Sequence, residues 1–198
     1  MIGSAPALGD ALPLVATNAR WLEVALADLD AVHADHLHCE RKAAQSALSL
    51  VRSYPERADL VDAMARLAHD ETRHVIQVHR LMARRGQPAA YDGGDAYAAA
   101  LREHVRKREP ERLLDRLLVF AVIEGRSAER LALLAGALAD RDAAALYGSL
   151  ARAEVRHRDT FLALARDAAP TAWRARAAEL AAREAELLRA LPIVARIH

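Results

Sequence analysis

The chain has 198 residues, enough for one domain with a substantial core. Its formal net charge is +1, so it is no polycation, and any nucleic-acid binding must come from a local patch. A single cysteine, Cys39, excludes an internal disulfide and a cysteine-built zinc or iron–sulfur cluster. Alanine, leucine and arginine dominate, glycine and proline are sparse, and alternating β-branched runs are nearly absent, which predicts an all-α protein. The opening MIGSAPALGDALPLVA has no basic n-region and carries Asp10 and Pro13, so no secretory leader is expected. No uncharged apolar run reaches the roughly 18 residues of a membrane span. A cytoplasmic protein with a single domain over residues 1–198 is the expectation.

Residues 1–16 read as an irregular lead-in. Thr17-Asn18 can cap a short helix through Trp21 and Leu26. The first long helix covers residues 30–54, with Glu40 in its middle beside Ala43, Ala44 and Ala47. After a turn at Ser53-Tyr54-Pro55-Glu56, a second long helix covers 56–85. Its apolar stripe, Val61, Met64, Leu67 and Val78, also carries Glu71 and His74. Gly86-Gln87-Pro88 stops it, and residues 86–95 are a loop. Asp95 caps a shorter segment, AYAAALREHVRKR, closed before Pro110. The third long helix covers 110–138 and holds Glu124 beside its most apolar run. The fourth covers 140–166, with Tyr147, Leu150, Glu154, His157 and Phe161 on one face. An accessory helix over 171–190 packs outside the bundle. A long crossover between the second and third helices is a feature of ferritin-like bundles that simple up-down bundles lack.

Two strings carry chemistry. Glu71-x-x-His74 recurs as Glu154-x-x-His157. Residues three apart on a helix lie about 300° round the axis and so leave from one face. Each copy follows a lone glutamate, Glu40 by 31 residues and Glu124 by 30, so the halves of the chain read as diverged repeats. A carboxylate buried in an apolar stripe costs several kcal/mol unless it is paired or bound to metal. Four converging carboxylates repel one another and take up protons. Two divalent cations supply the four matching charges. The predicted ligands are therefore Glu40, Glu71, His74, Glu124, Glu154 and His157, with Glu71 and Glu154 bridging and Glu40 and Glu124 terminal. Mixed carboxylate and imidazole ligation suits iron or manganese, and also zinc. Asp70 is placed to support a histidine across the bundle, His36 to line the cavity one turn before Glu40, and Tyr147 and Phe120 to line it or fill the core. Cys39 reads as a small core residue, and His198 belongs to no motif.

The strings CERKAAQSALSL at 39–50, with Asp35-His36 before it, and IEGRSAER at 123–130 resemble the bacterial tRNA 2-methylthio-isopentenyladenosine hydroxylases, a MiaE-like family within the ferritin-like di-iron carboxylate proteins. Glu71-x-x-His74 with Gln77-Val78, and Glu154-x-x-His157, fit the same pattern; the similarity spans roughly residues 17–165. Gly125 and Ala128 stand where that family leads one to expect Ala and Cys, and His69-Asp70 replaces Arg-Glu. The resemblance implies a ferritin-like four-helix bundle, extended by short N- and C-terminal helices. It implies a non-haem di-iron monooxygenase, with O2 as co-substrate and an external reductase as two-electron donor. The substrate would be the isopentenyl group of a modified adenosine next to the tRNA anticodon. The six residues above would be its iron ligands, manganese being the second choice. The tRNA would need a basic surface, and Arg84, Arg85, Arg102, Arg106, Lys107 and Arg108, gathered around the connecting segment, are the candidates. A monomer or dimer is expected. Another ferritin-like di-metal oxidoreductase, of peroxidase, catalase or ferroxidase type, is the alternative.

Overall fold

A computed structural model describes residues 8–198; the first seven residues of the expected lead-in lie outside the described residues. After a 3-10 turn, Leu8–Ala11, come seven α-helices among the described residues, and no strand. They are α1 Ala19–Ala27, α2 Leu29–Ser53, α3 Ala58–Arg84, α4 Ala96–Glu103, α5 Glu111–Ala137, α6 Arg141–Ala168 and α7 Trp173–Ala190. The starts follow from side chains that accept orphan backbone N–H groups. Asn18 takes that of Arg20, Asp28 that of Ala31, Asp95 that of Ala98, and Asp140 those of Asp142 and Ala143. Helix α3 ends at Gly86, whose φ of 68° is the left-handed backbone that glycine adopts without strain.

Two expectations need correction. Helix α3 starts at Ala58 rather than 56, because Arg57 N–H bonds back to Tyr54 in a turn. Helix α4 stops at Glu103 instead of running to Arg108. The backbone N–H and the guanidinium of Arg106 both go to buried Asp115 on α5, which draws the chain out of helical register. Arg176 on α7 binds the same carboxylate and the freed carbonyl of His104. The accessory C-terminal helix falls within its expected span of 171–190; it has 18 residues and buries Trp173, Ala177, Leu180 and Ala181.

Helices α2 and α3 form one antiparallel pair, α5 and α6 the other, and α3 meets α6 across the middle. The connection from α3 to α5 travels the length of the bundle and carries α4 with it. The core is split into two apolar clusters. One holds Leu50, Met64, Leu67, Leu117, Leu118 and Phe161, and the other Val32, Val78, Met82, Leu131, Leu134 and Tyr147. Between them, at mid-height on each of the four long helices, lies a polar layer.

Buried Arg126 fixes the periphery. It donates to Glu184 on α7 through Nε and Nη2, to the Val15 carbonyl and Thr17 hydroxyl of the N-terminal segment, and to Glu129. One α5 side chain therefore seats both accessory pieces, satisfying every charge it buries. The same N-terminal segment crosses α5 closely at Gly125, where an added Cβ would come within 2.8 Å of Leu14.

Candidate metal centre

The polar layer consists of the two repeated motifs and the two lone glutamates. Glu40 comes from α2, Glu71 and His74 from α3, Glu124 from α5, and Glu154 and His157 from α6; all six are buried. Spacing explains the arrangement. On each helix the apolar residues that flank these positions, Leu37 and Ala47, Ala68 and Val78, Val122 and Leu131, Ala151 and Phe161, face the core, and the ligand types share that face.

The geometry resolves into two overlapping sets. In Glu40, Glu71, His74 and Glu154 one donor atom from each residue lies within 4.8 Å of all the others, and the same holds for Glu71, Glu124, Glu154 and His157. Glu71 and Glu154 belong to both sets. His74 Nδ1 is 3.1 Å from Glu71, 3.3 Å from Glu40 and 3.6 Å from Glu154. His157 Nδ1 is 2.8 Å from Glu71 Oε1 and 3.1 Å from Glu154 Oε2. The two imidazoles lie with ring centroids 5.6 Å apart.

Electrostatics alone cannot hold this cluster ionised. Burial, and then the neighbouring Glu154 charge, push the Glu71 carboxyl well above the usual carboxylate range. Burial and Glu154 do the same to Glu124. Burial pushes Glu40 up as well, but a hydrogen bond from Glu71 and the charge of His36 outweigh it and hold Glu40 well below that range. His74 is lowered by burial and raised more by Glu40, for a net rise. The cluster sheds negative charge by keeping protons on Glu71 and Glu124 unless cations lie among the carboxylates.

Cations fit. Glu71 Oε1 and Glu154 Oε1 are buried and have no hydrogen-bond partner. Glu71 Oε1 is close to His157 Nδ1 yet out of hydrogen-bonding alignment, so the two atoms converge on a common point rather than on each other. Two sets of oxygen and nitrogen donors sharing two carboxylates can hold a pair of metal ions.

Around the ligands, His36 Nε2 lies 2.5 Å from Glu40 Oε1, and Tyr147 stacks on His36 with ring centroids 5.4 Å apart. Asp70 does look across the bundle at a histidine, with Oδ2 3.9 Å from His157 Nε2, beyond hydrogen-bond length and 40% exposed. Ala153 takes its place in the second repeat, so His74 has no such neighbour.

A narrow pocket of about 50 Å³ opens onto Glu40, Glu124 and Glu154 from one side, past Ala43, Ser46 and Phe120. Cys39 and His198, which the sequence set aside, line it. His198 Nε2 bonds to Ser127 Oγ at 2.8 Å, its Nδ1 is 3.4 Å from Asp95, and Cys39 Sγ is 3.5 Å away. Nothing local in the sequence signals this; Arg130, Trp21 and Asp35 bind the backbone of residues 196 and 197 and bring the tail back over the bundle.

The predicted basic patch does not assemble. Arg85 lies at the end of the bundle where α6 begins, 3.7 Å from Asp140, with Arg84 beside it. Arg106 is at the opposite end, bound to Asp115 in the first turns of α5. The 22 residues from Asp115 to Ala137 separate the two ends by roughly 33 Å. Arg102 lies nearer the middle, in the wall of the pocket that reaches Glu124 and Glu154, and Lys107 and Arg108 directly follow Arg106 in the chain. No helix among the described residues is long and apolar enough to cross a membrane.

Comparison with known proteins gives three findings. The family model described as tRNA-(MS[2]IO[6]A)-hydroxylase (MiaE) matches residues 10–198. A tRNA 2-(methylsulfanyl)-N(6)-isopentenyladenosine(37) hydroxylase from Pseudomonas putida is 43% identical over 90% of this chain and 87% of its own length, and the protein of the same name from Salmonella typhimurium is 34% identical over 66% of each. Among solved structures, a protein from Synechococcus described as having aldehyde deformylating oxygenase activity superposes with a TM-score of 0.88 at 36% identity, over 93% of this chain and 94% of that one.

Proposed function

The chain belongs to the MiaE family of tRNA hydroxylases, and from that premise we propose that it is an O2-dependent di-iron monooxygenase acting on the isopentenyl group of 2-methylthio-isopentenyladenosine beside the tRNA anticodon. The observation that carries the reading is the pair of donor sets sharing Glu71 and Glu154, with unpartnered oxygen atoms turned into the shared space.

Glu40, Glu71 and His74 would hold one iron, Glu124, Glu154 and His157 the other, with Glu71 and Glu154 reaching both. A metal pair held there would supply, with an external two-electron donor, the oxidising power that no protein side chain has for placing one oxygen atom of O2 in a C–H bond and releasing the other as water. The chain's own work is positional. His36 Nε2 lies 2.5 Å from Glu40 Oε1 and so fixes that carboxylate. Asp70 faces His157 Nε2 and biases its ring to present Nδ1 inward. Tyr147 and the two apolar clusters seal the layer from above and below, which excludes bulk water. Phe120, at the mouth of the pocket, presents an apolar wall to a prenyl chain. An anticodon-loop base is single-stranded and can be splayed out to meet it.

Nucleoside mass spectrometry of prenylated tRNA, incubated with reduced enzyme and O2, tests the proposal. A product with one added oxygen on the prenylated adenosine is expected. Its absence, with two irons bound and reducible, would turn the reading to a peroxidase, catalase or ferroxidase within the same fold. A second oxygenase reading, action on a free aldehyde, follows from the Synechococcus neighbour, and the same protein incubated with a long-chain aldehyde separates it.

A further inference from the structure

The narrow pocket adjoins a second cavity. It continues into a wider groove of about 470 Å³ between α2 and α5, and Lys42, Ser46, Arg102 and Phe120 line both. The outer groove adds Arg112 and Arg116 and has no aspartate or glutamate in its wall. The inner pocket has Glu40, Glu124 and Glu154 in its wall. Cations therefore line the path from the outer groove inward, Lys42 and Arg102 standing where the two meet, while carboxylates appear only in the inner wall.

The sorting is written along α5. Arg112, Arg116, Phe120 and Glu124 follow one another at intervals of four residues, so they form a slowly winding stripe on one side of the helix. Successive members rise by about 6 Å, which puts Arg116 about 12 Å and Arg112 about 18 Å from Glu124 along the axis. An extended nucleotide has its anionic phosphate at one end and its base at the other, with a prenyl group further out still. The stripe matches that order: guanidinium, aromatic ring, metal-ligating carboxylate.

The cations remain available. Arg102 is exposed and makes no ion pair among the described residues. Arg112 reaches Glu109 at 3.8 Å, and Lys42 reaches Asp92 at 3.5 Å and Asp95 at 3.9 Å, long pairs whose acids lie outside the wall of the outer groove. Arg116 donates to Ser49 Oγ and lies over the Tyr54 ring, which orients it without neutralising it. Arg106, by contrast, is committed to Asp115.

We propose that this groove is where the tRNA loop docks. Lys42, Arg102, Arg112 and Arg116 bind the phosphates flanking the target base, and Phe120 stacks on the splayed base as only its slender prenyl chain enters the inner pocket. This rests on the hydroxylase reading above and names the surface that serves it.

The test compares two charge-matched variants, Arg102→Glu/Arg112→Glu in the groove and Arg84→Glu/Arg85→Glu at the far end of the bundle, on iron-loaded protein. The substrates are an RNA stem-loop with the prenylated adenosine and the free prenylated nucleoside, which has no phosphate. For the groove variant, kcat/KM on the stem-loop relative to the nucleoside falls by about tenfold or more, and the slope of log binding constant against log salt shrinks by about 1.4, two contacts at about 0.7 each. The far-end variant moves both quantities less. Three results overturn the proposal: the far-end variant having the larger effect, the groove variant having none on the stem-loop, or equal loss on stem-loop and nucleoside. The salt slope is a binding measurement, so it decides the docking site even if the wild type hydroxylates neither substrate, which would instead sink the hydroxylase reading.

Discussion

Glu124 and Arg112 stand on the same helix, three steps of four residues apart, in opposite surroundings. Glu124 is buried in a layer where burial and a neighbouring carboxylate push its proton affinity up. Arg112 is exposed on a groove wall without a carboxylate. The inner layer is enclosed by two apolar clusters, and its carboxylates shed charge to protons unless cations balance them. The outer groove is open, and water and nearby acids already screen its charges. The difference teaches how one helix divides the work: a change inside should stop the chemistry, and a change outside should alter which molecules reach it.

The largest effect is expected inside. Glu124→Ala removes a ligand of one donor set and should abolish turnover on any substrate, with metal content falling from about two per chain to about one or fewer. Metal analysis beside the activity assay checks it. Intact metal and turnover would erase the distinction between the regions.

Next comes a change in the first turns of α5, where Asp115 ties the crossover segment and α7 to that helix, and it should act on stability. Burial pushes the Asp115 carboxyl up, but hydrogen bonds from Arg106 and Arg176 outweigh it and hold it below the usual range. Asp115→Asn should cost about 3 kcal/mol at neutral pH, the low end for breaking a buried pair because Arg106 is partly in water. A carboxyl depressed in the folded state stabilises above its unfolded pKa of about 3.9, and the benefit fades as pH falls below that. Thermal melts should show a drop of roughly 6–12 °C at pH 7 and a smaller one near pH 3.5. An equal drop at both pH values would mean that Asp115 contributes shape rather than charge.

Asp70→Ala should have a smaller effect. Its oxygen is 3.9 Å from His157 Nε2 and partly exposed, so metal affinity should weaken by about tenfold or less, as a titration against a competing chelator would show. The smallest effect belongs to Tyr147→Phe. Its hydroxyl is buried without a partner, so losing it leaves nothing newly unsatisfied, and stability should shift by no more than about 0.5 kcal/mol. A large loss of turnover in that variant would make the hydroxyl part of the chemistry.

The inner region was legible in the sequence and the outer one was not, for a physical reason. Glu71 with His74 and Glu154 with His157 lie one helical turn apart, and their apolar neighbours repeat every three or four residues, so a local pattern reveals which face they share. Lys42 and Arg112 are 70 residues apart in the chain and meet only because α2 packs beside α5. The stripe from Arg112 to Glu124 was visible as spacing, but nothing marked its first half as the wall of a groove. The basic residues that did stand out, Arg84 with Arg85 and the run at 106–108, are neighbours in the sequence on either side of a crossover that carries them to opposite ends of the bundle. The inward return of His198 left no trace either, because its anchors, Arg130, Trp21 and Asp35, are scattered along the chain.

The central claim is that the layer of six side chains uses O2 to hydroxylate a prenyl group presented through the basic groove. Isotopically labelled oxygen gas tests it most directly, with iron-loaded, reduced protein acting on prenylated stem-loop RNA in unlabelled water. The account predicts one labelled oxygen atom in the hydroxylated nucleoside. A product whose oxygen comes from water would contradict it.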